Sequence, residues 1–155
     1  MDSLRVNSGV KKIEVNDDGE YICIPIGDTA FYEKFAGILR YFNDKQNDIN
    51  KKTTELSEKY KGVEISRDED SVSETEVNMM MDASKLYSEL CRDVCVKLDD
   101  LFGEGCCKKV FTGIEIPSME LIHEFFAAIT PYFKKYADER NKKIIQKYNK
   151  KRGNK

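Results

Sequence analysis

Phe35, Phe42, Ile49, Leu56 and Val63 stand seven residues apart, an odd spacing that would alternate faces on a strand but lines one side of a helix. Phe31, Ile38 and Leu39 widen this stripe over its first half. Lys45, Gln46, Lys52 and Thr53 flank it with polar groups over its second half. The spacing predicts a helix from Asp28 to about Lys61 that begins as a broad core face and continues as a narrow, coiled-coil-like seam. At 1.5 Å per residue such a helix runs about 50 Å, more than a small core requires. Asp28 is placed to cap its start and Gly62 its end.

A second helix follows the same logic. Ser73-Glu74-Thr75-Glu76 has the spacing of a capping box, with Ser73 as N-cap. Val77, Met80, Ala83, Tyr87, Leu90, Val94, Leu98 and Leu101 then recur at three and four residues, the mark of a packed face. Residues 63–72 between the two helices form an acidic linker. So short a connection favours an antiparallel helical hairpin over 29–102. Gly103-Glu104-Gly105 stops the second helix, and one helical turn is expected over Cys106–Phe111. A third helix starts near Ser118 and runs to about residue 150, with Leu121, Ile122, Phe125, Phe126, Ile129, Phe133 and Tyr136 on its apolar side. Pro131 falls inside it, removes a hydrogen bond to the Ala127 carbonyl and is expected to kink it.

Ahead of these helices, Ile13 and Val15 alternate with Lys12 and Glu14, and Ile22, Ile24 and Ile26 alternate with Tyr21, Cys23 and Pro25. Asn16-Asp17-Asp18-Gly19 between them is turn chemistry, so 11–26 reads as a β-hairpin. Pro25 lacks an amide hydrogen and marks the second strand as an edge or its end. A lone hairpin is marginal in water, and this one is expected to pack on the start of the first helix. The fold expected is one domain over 1–155, mainly α: a small N-terminal β-hairpin, a long antiparallel helical hairpin and a third, C-terminal helix.

Composition agrees with long exposed helices, since 35% of the 155 residues are charged and only 40% hydrophobic. The net charge of −2 is unevenly spread. Ten Lys/Arg against two Asp/Glu fill Lys134–Lys155, while Glu64–Glu76 is strongly acidic. A chain polarised in this way can steer partners or pair its own ends. Met1–Val10 has no apolar stretch of signal-peptide type, and no run approaches the ~18 apolar residues of a membrane span. The expectation is a cytoplasmic protein without membrane contact, its five cysteines reduced.

No combination of residues has the spacing of a catalytic or metal site. His123 is the single histidine and lies among Leu121, Ile122, Phe125 and Phe126, as a boundary residue of an amphipathic helix would. Cys91 and Cys95 share a helical face beside the apolar stripe, and Cys106 and Cys107 are adjacent. Neither pair has the spacing of a zinc knuckle. Gly103–Lys109 resembles a phosphate loop only loosely, lacking the Lys-Ser/Thr pair and a preceding strand. Catalytic residues, cofactors and metals are therefore expected to be none. The alternative of a metal-dependent enzyme would have to use the cysteines with His123. A second alternative is nucleic-acid binding through the basic tail, with Lys142–Lys155 on phosphates and Tyr132, Phe133, Tyr136 and Tyr148 stacking on bases.

The segment Leu98-Asp99-Asp100-Leu101-Phe102-Gly103-Glu104-Gly105-Cys106-Cys107-Lys108-Lys109-Val110-Phe111-Thr112-Gly113 resembles a phrase of small tail-region proteins from phages and prophages of Gram-positive bacteria, the tail assembly chaperone-like group. In that pattern an acidic helix end runs into Phe-Gly-Glu-Gly. Two small residues, a basic pair, an aromatic and a glycine turn follow, and then a final apolar helix. The hairpin followed by Tyr32, Phe35 and Phe42 is similar as well. Cys106 and Cys107 stand where the pattern carries small residues. Asn43–Lys61 and the basic tail lie outside it. The resemblance implies a non-enzymatic assembly chaperone or adaptor in the bacterial host cell, binding the tape-measure and tail tube proteins. It is equally compatible with a structural, virion-associated component of a tail or tail-like particle. The surfaces expected to bind partners are the seam Phe42, Ile49 and Leu56, the corner Phe102, Gly103 and Phe111, and the third-helix face Phe125 and Phe126. The seam is also open to a second copy, as in a homo-oligomer.

Overall fold

Asn16 closes the N-terminal hairpin through its own side chain. In a computed structural model, which describes residues 1–62 and 72–153 with side chains to Lys150, its Oδ1 accepts from the Asp18 and Glu20 amides at 3.0 and 3.2 Å. Gly19 takes φ +78° beside it. The strands β1 (Val10–Glu14) and β2 (Tyr21–Pro25) pair antiparallel from Glu14↔Tyr21 to Val10↔Pro25. Pro25 thus sits at the last pair of a two-stranded sheet, where a missing amide costs little. Alternation sends Ile22 and Ile24 into the core, and Ile26 follows them.

Helix α1 (Thr29–Lys59) begins at Asp28, whose Oδ1 accepts from the Ala30 amide at 2.9 Å. It ends at Tyr60, two residues ahead of Gly62, which holds φ +85°. Helix α2 (Glu74–Phe102) begins at Ser73, whose hydroxyl accepts from the Glu76 amide at 3.2 Å. Both expected N-caps are formed, whereas the C-cap of α1 falls at Tyr60 and not at Gly62. Of the expected acidic linker 63–72, all but Val72 lies outside the described residues. The two helices run antiparallel, as three side-chain bonds record. Tyr41 donates to Asp93 at 3.2 Å, Thr53 and Tyr87 share a hydroxyl contact at 3.2 Å, and Tyr60 donates to Asp82 at 2.6 Å.

Helix α3 (Cys106–Val110) is the single turn expected, and α4 (Met119–Gly153) is the third long helix. It continues through Pro131 as one element. Ala127, Ala128 and Pro131 are exposed, so the carbonyl that Pro131 leaves unbonded sits on the wet side of the helix. Aromatic edges hold α4 against α1. Phe42 meets His123 and Phe126 at 4.8 and 5.5 Å between ring centres, Phe35 meets Phe126 and Phe133 at 5.9 and 4.7 Å, and Phe31 meets Phe133 at 5.5 Å. Higher numbers on α4 meet lower numbers on α1, so the two are antiparallel. Edge-to-face rings let bulky side chains fill this interface without voids.

The hairpin shares the core with Phe31 and Phe35 at the start of α1, and polar pins tie it to further helices. Those pins lie on α3 and α4. Asn16 Nδ2 donates to the Lys109 carbonyl at 3.0 Å, Arg140 donates to the Ile26 carbonyl at 3.1 Å, and Lys11 lies 3.9 Å from Glu139. β2 also packs on α2. The reason is that Ile22, Ile24 and Ile26 belong to the same core cluster as Phe31, Leu98 and Phe133, which draws the hairpin across several helices at once. The fold is the mainly helical one expected, with its two-stranded antiparallel hairpin at the front.

The helices overhang this core at both ends. Helix α4 starts level with Gln46 and Cys91, as His123 Nε2 lies 3.2 Å from Gln46 Oε1 and Pro117 and Ser118 share a shallow cleft with Cys91. The α1/α2 hairpin continues beyond that level to Lys59 and Glu74. At the opposite end, α4 runs on past Arg140 with every described side chain over 141–150 exposed, while Lys143, Ile144 and Lys147 border a cleft with Asn7–Lys11.

Candidate functional site

The segment Leu98–Gly113 forms a chain corner. Phe102 closes α2 and is buried among Phe31, Phe35 and Phe125. Gly103 then reverses the chain at φ +112° with its amide on the Asp99 carbonyl at 2.9 Å, and Gly105 follows at φ +82°. Both values lie where an L side chain is strained. Asp99 Oδ1 accepts from the Cys107 amide at 2.9 Å and caps α3 from the preceding helix. Phe111 is buried against Phe125, and the Lys109 carbonyl receives the hairpin's Asn16. The motif holds α2, α3, α4 and the hairpin in register.

The residues that the sequence suggests as contact surfaces lie mostly inside the protein's own core. Phe42, Ile49, Phe102, Phe111, Phe125 and Phe126 are all buried in the chain's own core, and Leu56 is half-buried. Only Gly103 is exposed. The cause is packing within the chain: Phe42 of the α1 seam and Phe126 of the α4 face cover one another in the aromatic layer between the two helices. A second correction concerns α2. Leu90, Val94 and Leu98 are buried as expected, but Val77, Met80 and Tyr87 of the same stripe are exposed, Met80 by 68%. Met81 beside them is exposed by 51%.

Two exposed apolar faces emerge instead. One is Val77, Met80 and Met81 on the overhanging part of α2. The other is Ile144, Ile145 and Tyr148 on the overhanging part of α4, each more than half exposed. The second lies beyond Tyr136, where the apolar stripe marked out in the sequence ends. The first was hidden by being part of a regular stripe. Of the tail aromatics proposed to stack on bases, Phe133 and Tyr136 are buried, while Tyr132 and Tyr148 are exposed.

The thiols are poorly suited to chemistry. All five are free, and Cys91, Cys106 and Cys107 are buried. Burial pushes the Cys91 thiol up to about 11. The Cys95 thiol is also pushed up, first by its hydrogen bond with the Cys107 thiol and then by burial. The Cys107 thiol is raised chiefly by its hydrogen bond with Cys106, and its Sγ lies 3.7 Å from the Cys95 carbonyl. Such thiols stay protonated near neutrality and are weak nucleophiles. Among the described residues, no three His, Cys, Asp or Glu side chains gather where they could hold a metal ion. His123 lies at the α1/α4 boundary, edge-on to Phe42 and 3.2 Å from Gln46.

The clefts are shallow. The one between β1, α3 and α4, of ≈ 340 Å³, offers Glu14, Glu124 and Tyr132 as polar groups within an apolar lining that includes Phe111 and Phe125. No nucleophile stands beside a base there. No described helix is long and apolar enough to cross a membrane.

The sequence matches the family described as "Family of unknown function (DUF6673)" over residues 18–155, from the hairpin turn to the end of the chain, and the chain belongs to that family. No curated protein and no solved structure matches it.

Proposed function

We propose that this member of a family without assigned function is a non-catalytic assembly chaperone or adaptor of a phage-type tail, acting by holding other proteins on its overhanging helices. The observation that carries the reading is the uncovered apolar face of upper α2, where Val77, Met80 and Met81 continue the stripe that the core uses lower down. Methionine adapts its shape to different partners at little cost, which suits a transient holding surface. The link to tails rests on the segment Leu98–Gly113, which resembles a phrase of tail-region proteins. The same corner is compatible with a structural tail component.

The test is co-expression with the tape-measure and tail tube proteins of the same locus. The chaperone reading expects co-purification with at least one of them, weakened by Met80→Glu. Capture of neither counts against it, and recovery of the chain from purified particles points to the structural role.

The basic tail supports a second reading, nucleic-acid binding. Lys142, Lys143, Lys147 and Lys150 are exposed together without a carboxylate between them. Binding of this kind must weaken steeply with salt and disappear when residues 141–155 are removed.

A further inference from the structure

Cations from two distant parts of the chain line one cleft. It lies where the N-terminal segment Asn7–Lys11 runs beside α4, has a volume of ≈ 290 Å³, and takes Lys11 from β1 and Arg140, Lys143 and Lys147 from α4. On α4 these three follow Tyr136 at spacings of four, three and four residues, so one side of the helix carries them. Arg140 to Lys147 spans about 10 Å at 1.5 Å per residue. Among the described residues that line the cleft, Glu139 is the one acid, and it lies 3.9 Å from Lys11 Nζ. The cleft therefore keeps an excess of three positive charges.

Its walls are held in place. Asn7 Oδ1 accepts from the Gly9 amide at 3.0 Å. A Cβ on Gly27 would lie 2.5 Å from the Ser8 carbonyl oxygen and 3.3 Å from Arg140 Nη1, so glycine at 27 lets the segment and the guanidinium come together there. Arg140 Nη1 also donates to the Ile26 carbonyl at 3.1 Å, which fixes the guanidinium at the edge of the cleft. Lys11 Nζ stands 5.6 Å from the centre of the Tyr136 ring. Ile26 and Tyr136 are buried and back the cleft with apolar surface. Like charges spread over a convex surface are simply solvated. Here they converge on a concave wall of low polarity, where the field is concentrated and an anion gains most.

We infer that this cleft binds a ligand carrying two or more linked phosphates, with Arg140, Lys143 and Lys147 along the phosphates and Lys11 facing them from β1. The row of cations is longer than one phosphate needs, and the volume suits a small group of concentrated charge better than an acidic helix. The planar fork of arginine matches phosphate oxygens two at a time, and the lysines add point charges. Two sources offer this chemistry: a free polyphosphate or nucleotide, and the backbone of a nucleic-acid strand. Binding then depends on one face of α4 together with β1. Such a site stands apart from the tail-assembly reading, and from capture of nucleic acid by the charge of the basic tail as a whole.

The experiment is calorimetric titration of the full chain with inorganic tripolyphosphate and, separately, with a short single-stranded DNA, at low and high salt. Tripolyphosphate should bind, about tenfold or more weakly at high salt. Two charge-matched variants separate face from charge. Lys143→Ser with Lys147→Ser removes two cations from the cleft, whereas Lys142→Ser with Lys150→Ser removes two from the same stretch of helix outside it. The first pair should weaken binding about tenfold or more, and the second less than about threefold. Lys11→Ser, on the hairpin, should weaken it as well. All four α4 lysines are exposed, and thermal unfolding checks that each variant stays folded. DNA that binds more tightly than tripolyphosphate, and loses affinity with the cleft variants, identifies a strand as the source; DNA that binds no more tightly identifies a free ligand. Absence of tripolyphosphate binding overturns the inference, as does an equal loss from both lysine pairs or indifference to Lys11→Ser. DNA binding that depends on Lys142 and Lys150 but not on Lys11 would uphold capture by the tail and overturn the cleft.

Discussion

The two halves of α2 carry the same apolar spacing and end in opposite surroundings. From Leu90 to Phe102 the stripe is buried, with Val94 and Leu98 fully enclosed. From Val77 to Tyr87 it is exposed. The helix itself does not explain this, because its capping and periodicity run unchanged through both. What differs is the company. The lower half meets β2, α3 and α4 as well as α1, whereas the upper half, among the described residues, meets α1. Spacing of three and four dictates which side of a helix is apolar. Whether that side is covered depends on where the next helix starts, and here it starts at Met119.

The largest test of the comparison is truncation on either side of that level. Leu98→Ala should cost about 2–5 kcal/mol and Phe42→Ala about 3–5 kcal/mol, since each leaves a cavity among packed neighbours. Met80→Ala, on the open side, should stay within about 0.5 kcal/mol. Urea denaturation of the three variants measures the difference. Equal losses at Leu98 and Met80 would mean that the upper face is covered in solution.

The corner gives a middle-sized effect. Asp99→Ala removes the acceptor of the Cys107 amide and should cost about 1–2 kcal/mol in the same assay. The Cys91 thiol adds a pH signature to this region. Its folded value is raised from 9.0 to about 11, chiefly by burial. Its contribution is full below the ordinary thiol value and is lost as pH rises through the folded one. Stability should therefore decline between pH 9.0 and about 11, and Cys91→Ala should flatten that decline.

Much of the fold follows from local rules that a sequence displays. Asp28 and Ser73 are caps whatever surrounds them, Asn16 and Gly19 make the turn, and the aromatic spacing of α4 announces a core face. The site was less legible. Phe125 and Phe126 look the same in sequence whether α1 covers them or a partner does, and only the packing of Phe35 and Phe42 decides between those cases. Met80 was read as packed for the opposite reason, because nothing local records that α4 begins too low to reach it. The Phe102–Gly113 phrase stands out for its glycines, and those glycines serve the corner. A recognisable motif here marks a structural constraint, and the candidate contact surface lies in residues with no motif at all.

The smallest effect expected is also the most local. At the end of the hairpin, Tyr60 donates to Asp82 Oδ2 at 2.6 Å and Lys59 Nζ lies 3.0 Å from the same oxygen. The Tyr60 hydroxyl first, and Lys59 second, hold the Asp82 carboxyl below its ordinary value. A lowered carboxylate contributes stability above its ordinary value, and that contribution is lost as pH falls through the folded one. Ile49 is the last buried side chain of α1 before this clamp, so releasing it should loosen the tip without unfolding the body. Amide protection over 74–82 should fall on acidification, while protection over 90–102 holds. Tyr60→Phe should produce the same contrast at neutral pH, since it removes the hydroxyl and leaves the ring and Lys59 in place. Protection at the tip as high as at Leu98, and unmoved by acid or by Tyr60→Phe, would mean that the upper half of α2 is as firmly held as the lower, and the contrast between them would fail.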